Sequence, residues 1–214
     1  MKRFFLVLVL FFSAFSLFSQ SQKAQDLLEE GFQYFSLGKY NLAISKYEEA
    51  IQVDPQFSGA YYELAYTYYA IKEYDKAISY AKKVIKMKKG NESLSIVLIG
   101  NIYDIQGKYS KAIKTYHSGI KSYPNDHMLY FNLGVTYYNH KDYKNAQTNF
   151  IESIKINPRH ASSHVYLGWS LDAQNQSFKA ILPITYALML EPNSKRSVTW
   201  LKWLKKELNY KVEK

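Results

Sequence analysis

Residues 127–159 read HMLYFNLGVTYYNHKDYKNAQTNFIESIKINPR, and this stretch decides the fold. Tyr130, Leu133 and Tyr137 fall on one helical face, with Gly134 beside them. A polar break follows at Asn139-His140-Lys141-Asp142. Tyr143, Ala146, Phe150 and Ile154 then mark a second amphipathic segment, which Pro158 closes. Apolar positions three and four apart specify helix rather than strand. Sliding the window by 34 residues brings the same residue types back.

Working outward, the recurrence covers most of the chain. Small residues of the first helix recur as Gly31, Ala65, Gly100, Gly134 and Gly168, spaced 34, 35, 34 and 34. Ala43, Ala77, Ala112, Ala146 and Ala180 repeat that spacing in the second helix. Aromatics recur as Tyr34, Tyr68, Tyr103 and Tyr137, then Leu171, and again as Tyr40, Tyr74, Tyr109 and Tyr143, then Ser177. Pro55, Pro124, Pro158 and Pro192 fall at the ends, so four of the five prolines stand in register.

These positions resemble the tetratricopeptide repeat, a helix–turn–helix unit of about 34 residues. The resemblance covers residues 24–194 as copies at about 24–57, 58–92, 93–126, 127–160 and 161–194. It implies an all-α fold, a right-handed superhelical α-solenoid of five helix pairs. A lone pair cannot bury both its faces, so the copies must stack. Gly or Ala permits close helix approach, large aromatics fill the space between pairs, and proline stops the helix before it.

The departures shape further expectations. The second copy ends Met87-Lys88-Lys89-Gly90-Asn91, without proline and one residue longer, which predicts a looser junction with Gly90 near a helix end. The fifth copy places Pro183 inside its second helix, which predicts a kink. Over 195–214 a capping helix and tail are expected. Ser194 would cap that helix and Val198, Leu201, Leu204 and Leu208 would face the core, with Lys202, Lys205 and Lys206 in water.

The first residues read as a targeting signal. Lys2 and Arg3 precede an unbroken apolar run from Phe4 to Phe12, and small residues at Ser13, Ala14, Ser16 and Ser19 lead to Gln20. This is the layout of a secretory signal peptide, 1–19, cleaved near Ser19, and it predicts an exported, periplasmic or secreted protein. Counted to Phe18 the apolar stretch has 15 residues, short of the roughly 20 that span a bilayer. Losing Lys2 and Arg3 lowers the net charge from +10 to +8. Export argues against a nucleic-acid partner, and solvated lysine faces account for the charge. There are no cysteines, which excludes disulfides, thiolate metal sites and a cysteine nucleophile.

Other chemistry is poorly supplied. GNIYDIQGK, from Gly100 to Lys108, has six residues between its glycines where a phosphate loop has four, and Tyr109 where Ser or Thr should stand. His160 and His164 stand four apart without a third ligand or an HExxH pattern. No Ser–His–Asp pattern is visible. The sequence therefore predicts no catalytic residues, no metal and no cofactor.

In the family the first helix of each repeat lines the concave surface, where peptides lie. The resemblance implies a groove of Phe32 and Phe35, then Tyr62, Tyr66 and Tyr69, then Val97, Asn101 and Asp104. Phe131, Val135 and Tyr138 follow, then Trp169 and Asp172. Tyr and Trp give large contact area at small entropic cost, which suits them to binding. Family members that hold a peptide C-terminus use lysine, asparagine and arginine at matching positions. Here those are Leu28, Phe32, Tyr62, Tyr66, Val97 and Asn101, so such a clamp is not expected. The resemblance thus implies a non-catalytic scaffold of the cell envelope binding a protein or peptide. A cell-wall or glycan-binding module using the same aromatic face is the alternative. Lys82, Lys83, Lys86, Lys88 and Lys89, with Lys108, Lys111, Lys114 and Lys121, belong to the convex face. They are either solvated or in weak, salt-sensitive contact with an anionic envelope surface.

Overall fold

The computed structural model describes residues 21–212, with side chains as far as Leu208. The expected signal peptide, 1–19, lies outside the described residues. Among the described residues every regular element is a helix. The first, α1, covers 21–36. It is followed by α2 (Tyr40–Val53), α3 (Ser58–Ala70), α4 (Tyr74–Met87), α5 (Glu92–Ile105) and α6 (Tyr109–Ser122). Then come α7 (His127–Asn139), α8 (Tyr143–Ile156), α9 (Ala161–Asp172), α10 (Ser177–Leu190) and α11 (Ser197–Val212). In chain order these are five helix pairs and one further helix, as the period requires.

The chain forms two compact units, with the boundary after Ile102 inside α5. In the first, α3 packs on both α2 and α4, around Leu27, Leu28, Ala43, Tyr47, Ala50, Ala60 and Leu64. In the second, α8 packs between α7 and α9, and α10 between α9 and α11.

Close helix approach rests on a steric exchange at a spacing of 16 residues. A Cβ on Gly31 would lie 2.3 Å from the ring of Tyr47, and one on Gly134 would lie 2.7 Å from that of Phe150. A Cβ on Gly168 would meet Ile184 at 2.5 Å. Tyr47, Phe150 and Ile184 are fully buried, so none can swing away. Where the first residue is Ala65, the residue 16 further on is Ala81, and both are fully buried. A methyl on one helix is accepted where the opposing side chain has shrunk.

Each pair turns through the same backbone shape. Gly38, Lys72, Gly107, Lys141 and Asn175 all have φ between 60° and 71°. The next N–H reaches back into the preceding helix: Lys39 to the carbonyl of Tyr34, Glu73 to Tyr68, Lys108 to Tyr103, Asp142 to Tyr137 and Gln176 to Leu171, at 2.8–3.0 Å. These bonds satisfy carbonyls that the helix end leaves without donors.

The second junction is irregular as expected. Lys88, Gly90 and Asn91 all have positive φ, and α4 stops at Met87. Pro183 lies inside α10, which runs unbroken from Ser177 to Leu190. The proline removes the donor for the carbonyl of Lys179, and Lys179 is exposed, so water can serve instead. The expectation for the last helix needs correction: of its aliphatic row only Leu204 is half-buried, and a different side turns inward. Val198, Leu201 and Leu208 are exposed, whereas Trp200 is buried against Ala161, Val165, Ile184 and Ala187, with Trp203 packed beside it. Two indoles bury more surface than the aliphatic row, and they decide the rotation. Ser194 does cap this end, its Oγ accepting from the Ser197 N–H at 3.1 Å.

The steric exchange predicts that Gly134→Ala destabilises the protein by about 1–3 kcal/mol. In a Phe150→Ala background the same change should cost far less, and urea melts of the double-mutant cycle measure the coupling.

Candidate functional site

The aromatic residues expected on the first helices gather in each unit separately. In the first, Phe35, Tyr62, Tyr66 and Tyr69 form a run of rings. Phe35 lies 5.6 Å from Tyr66, Tyr62 stacks on Tyr66 at 6.4 Å, and Tyr66 meets Tyr69 at 6.0 Å. Positions 62, 66 and 69 are four and three apart, so one face of α3 presents all three. Phe32 meets the buried Tyr47 edge-on at 6.1 Å. Phe32 and Tyr66 are exposed, and Phe35, Tyr62 and Tyr69 are half-buried. Each ring is braced by neighbours yet open to solvent on one side. Val97 and Asn101 are half-buried on α5.

In the second unit the rings converge on Tyr166. It lies 5.6 Å from Phe131, 5.6 Å from Tyr138, 5.0 Å from Trp169 and 5.4 Å from Phe150. Sequence reasoning missed Tyr166 because its counterparts in the other copies are Glu29, Glu63, Leu98 and Asn132, none of them aromatic. The available signal was an aromatic three residues before Trp169 on one helix. Val135 is half-buried on the neighbouring α7.

The residue opening each second helix braces this face. Tyr40 meets Phe35 at 5.3 Å, Tyr74 meets Tyr69 at 6.2 Å and Tyr143 meets Tyr138 at 5.4 Å. In the fifth copy the same two positions are Asp172 and Ser177, and a hydrogen bond of 2.6 Å from Ser177 Oγ replaces the ring contact. Asp172 also accepts from Trp203 Nε1 at 3.1 Å, so this residue ties α9 to α10 and α11. Asp104 stands at the corresponding place on α5, with His140 Nε2 at 3.8 Å.

Beneath Phe131 lies a polar junction. His160 packs against Phe131 and His127, with ring centroids at 4.8 and 4.9 Å. Ser153 Oγ donates to the His127 carbonyl at 3.0 Å and so has no proton left for Ser163 Oγ, 2.8 Å away. Ser163 must therefore donate to Ser153, and His160 Nδ1, at 2.7 Å, must donate to Ser163. The chain of hydroxyls therefore places a proton on His160 Nδ1. His164, the other histidine of the expected pair, instead bonds the Pro158 carbonyl through Nε2 at 2.8 Å.

At the end of this face α9 and α11 enclose a cavity of about 280 Å³. Tyr166, Trp169 and Trp200 supply rings, and Ser162, Thr199 and Arg196 supply polar groups. Arg196 is held by Glu191 through two bonds of 2.7 Å and donates to Ser162 at 2.9 Å. The lysines expected on the second-helix side, from Lys82 to Lys121, are all exposed.

Comparison with known proteins agrees with this architecture. Family models described as "TPR repeat" match residues 31–71 and 100–141, and those described as "Tetratricopeptide repeat" match 58–91 and 129–160. Together they cover more than half of the chain. The chain is similar to the TPR repeat-containing protein MJ1428 of Methanocaldococcus jannaschii, 27% identical over 73% of this chain and 29% of that protein. It is also similar to the BBSome complex member BBS4 of Bos taurus, 25% identical over 66% of this chain and 27% of that one. It thus spans less than a third of the length of either. Among solved structures it resembles TTC0263, a thermophilic TPR protein in Thermus thermophilus. There the TM-score is 0.70 at 18% identity, covering 85% of this chain and 98% of that one. YrrB, described as a TPR protein with an unusual peptide-binding site, gives a TM-score of 0.55 at 18% identity, covering 82% and 90%.

Two titrating groups near these faces pull in opposite directions. Burial pushes the Glu63 carboxyl up from its ordinary 4.5 to about 7. Burial, assisted by His127 and Arg196, lowers His160 from 6.5 to about 4. The fold favours protonated Glu63, so that contribution is full below pH 4.5 and is lost as pH rises to about 7. It favours neutral His160, so that contribution is full above pH 6.5 and is lost as pH falls toward 4. In Glu63→Gln, stability should therefore rise from pH 4 to 6.5, and in His160→Gln it should fall from pH 4.5 to 7. Denaturant midpoints across that range read both slopes.

Proposed function

Because this chain belongs to the tetratricopeptide-repeat family, we propose that it is a non-catalytic scaffold whose aromatic first-helix face binds a segment of another protein. The observation that carries the proposal is the run Phe35–Tyr66–Tyr62 with Tyr69, rings fixed by one another and open to solvent. Such rings lose little side-chain entropy on binding, because packing has already fixed them. Phe131, Tyr138 and Trp169 around Tyr166 offer the same chemistry on the second unit. Asn101 and Asp104 add polar groups, which suits an extended peptide whose backbone needs partners. A glycan is the second reading, favoured by the cavity where Trp169 and Trp200 stand beside Ser162 and Thr199.

Alanine at Tyr62, Tyr66 and Phe131 together should abolish capture of the partner from an envelope extract while circular dichroism stays helical. Capture unchanged in a folded triple variant would refute the assignment. Co-sedimentation with purified wall polymer, lost on Trp169→Ala, would favour the glycan.

For the place of action we propose export, on the strength of the N-terminal sequence. Lys2-Arg3, the apolar run from Phe4 and the small residues ending at Ser19 support export with cleavage near Ser19. Mass spectrometry of the protein from cells should find a mature N-terminus within a residue or two of Gln20. An intact Met1 would overturn the export reading.

A further inference from the structure

The outer side of α10 breaks the pattern set by every other second helix. Phe178 is 76% exposed, Leu182 77% and Met189 73%, with Tyr186 at 39%. In the other four copies the position of Phe178 holds Asn41, Asp75, Ser110 and Lys144. That of Leu182 holds Ser45, Ser79, Lys114 and Thr148, and that of Met189 holds Gln52, Lys86, Lys121 and Lys155. All twelve are exposed, so these are outward positions in every copy and not an end uncovered because the repeats stop. The position of Tyr186 likewise holds Glu49, Lys83, Ser118 and Glu152. A surface that is polar four times out of four has become apolar at four positions of one helix.

The four residues are spaced four, four and three apart, a single row about 16 Å long, which is the geometry of a seam against another helix. Beside the row lies an apolar cavity of about 370 Å³ between Ile154, Pro158, Leu167, Leu182, Pro183 and Tyr186, able to take an incoming side chain. Helices that lie on lipid carry several basic residues around the apolar face. Lys179 is the only charge among the 14 residues of α10.

We propose that this row is the contact between two copies of the chain, paired as antiparallel α10 helices about a twofold axis that crosses the row midway between Leu182 and Tyr186. That arrangement sets Phe178 of one copy against Met189 of the other, and Leu182 against Tyr186. It also brings Lys179 to the C-terminal end of the opposite α10, where the helix dipole attracts it, while Glu191 there stays paired with Arg196 of its own chain. The row therefore sets apolar residues against apolar residues and its one charge against a helix C-terminus, as an isologous contact requires. The first-helix faces with their rings are not consumed by this pairing, so a dimer presents its binding surfaces twice.

Sedimentation velocity of the purified protein tests it. A concentration-dependent dimer is expected, and Leu182→Glu with Met189→Glu should weaken dimerisation at least about 100-fold with the helical spectrum unchanged. The chain has no cysteine, so Leu182→Cys offers a single thiol. A short bismaleimide should join two copies through it but not through Lys114→Cys, the matching outward position on α6. A protein that is monomeric at every concentration, or a dimer indifferent to both glutamates, overturns the proposal. Monomers that co-sediment with phosphatidylglycerol vesicles only while Leu182 is intact overturn it in favour of lipid.

Discussion

The constraint on which the rest depends is the missing Cβ where first and second helices cross. Gly31 against Tyr47, Gly134 against Phe150 and Gly168 against Ile184 let a large buried side chain lie directly on the opposing backbone. Packing a ring onto bare backbone gains contact area and draws the helices together. Once the helices are that close, the face of the first helix turned away from its partner is fixed in direction. The positions of Phe32, Tyr66 and Trp169, each directly following the small residue, inherit that direction. The direction of the aromatic face is a by-product of where a methyl group is forbidden.

Much of this was legible because the chain states its rule five times. Helix placement, the turns and the proline stops follow from a period, and a period survives departures at single positions. The exchange of Gly31–Tyr47 for Ala65–Ala81 was visible too, but only in a comparison of residues 16 apart rather than 34 apart. What escaped was whatever depends on a single copy. Tyr166 is the hub of the second aromatic group, yet its counterparts are Glu29, Glu63, Leu98 and Asn132, so no recurrence marks it. On α11 the row Val198, Leu201, Leu204 and Leu208 is regular and apolar, yet only Leu204 is half-buried, because Trp200 and Trp203 set the rotation of the helix. An indole that reaches both a core and the Asp172 carboxylate outweighs a row that reaches neither.

The candidate site also shows how structure and binding share residues. Tyr40, Tyr74 and Tyr143 recur at a position that reads as scaffold, yet each holds in place the ring of the preceding first helix. Asp172 reads as a polar groove residue, yet its carboxylate is spent on Ser177 and Trp203. Residue type alone does not sort one role from the other; the partner of each side chain does.

The five turns have a consequence for stability. All adopt the left-handed conformation, but only two do so with glycine, at Gly38 and Gly107. Lys72 and Lys141 carry a Cβ that costs roughly 1–2 kcal/mol there, and the short polar side chain of Asn175 is better tolerated. Because repeats gain stability mainly from their neighbours, the bends at Lys72 and Lys141 draw that cost from the packing of adjacent helices. The bends at Gly38 and Gly107 close without it.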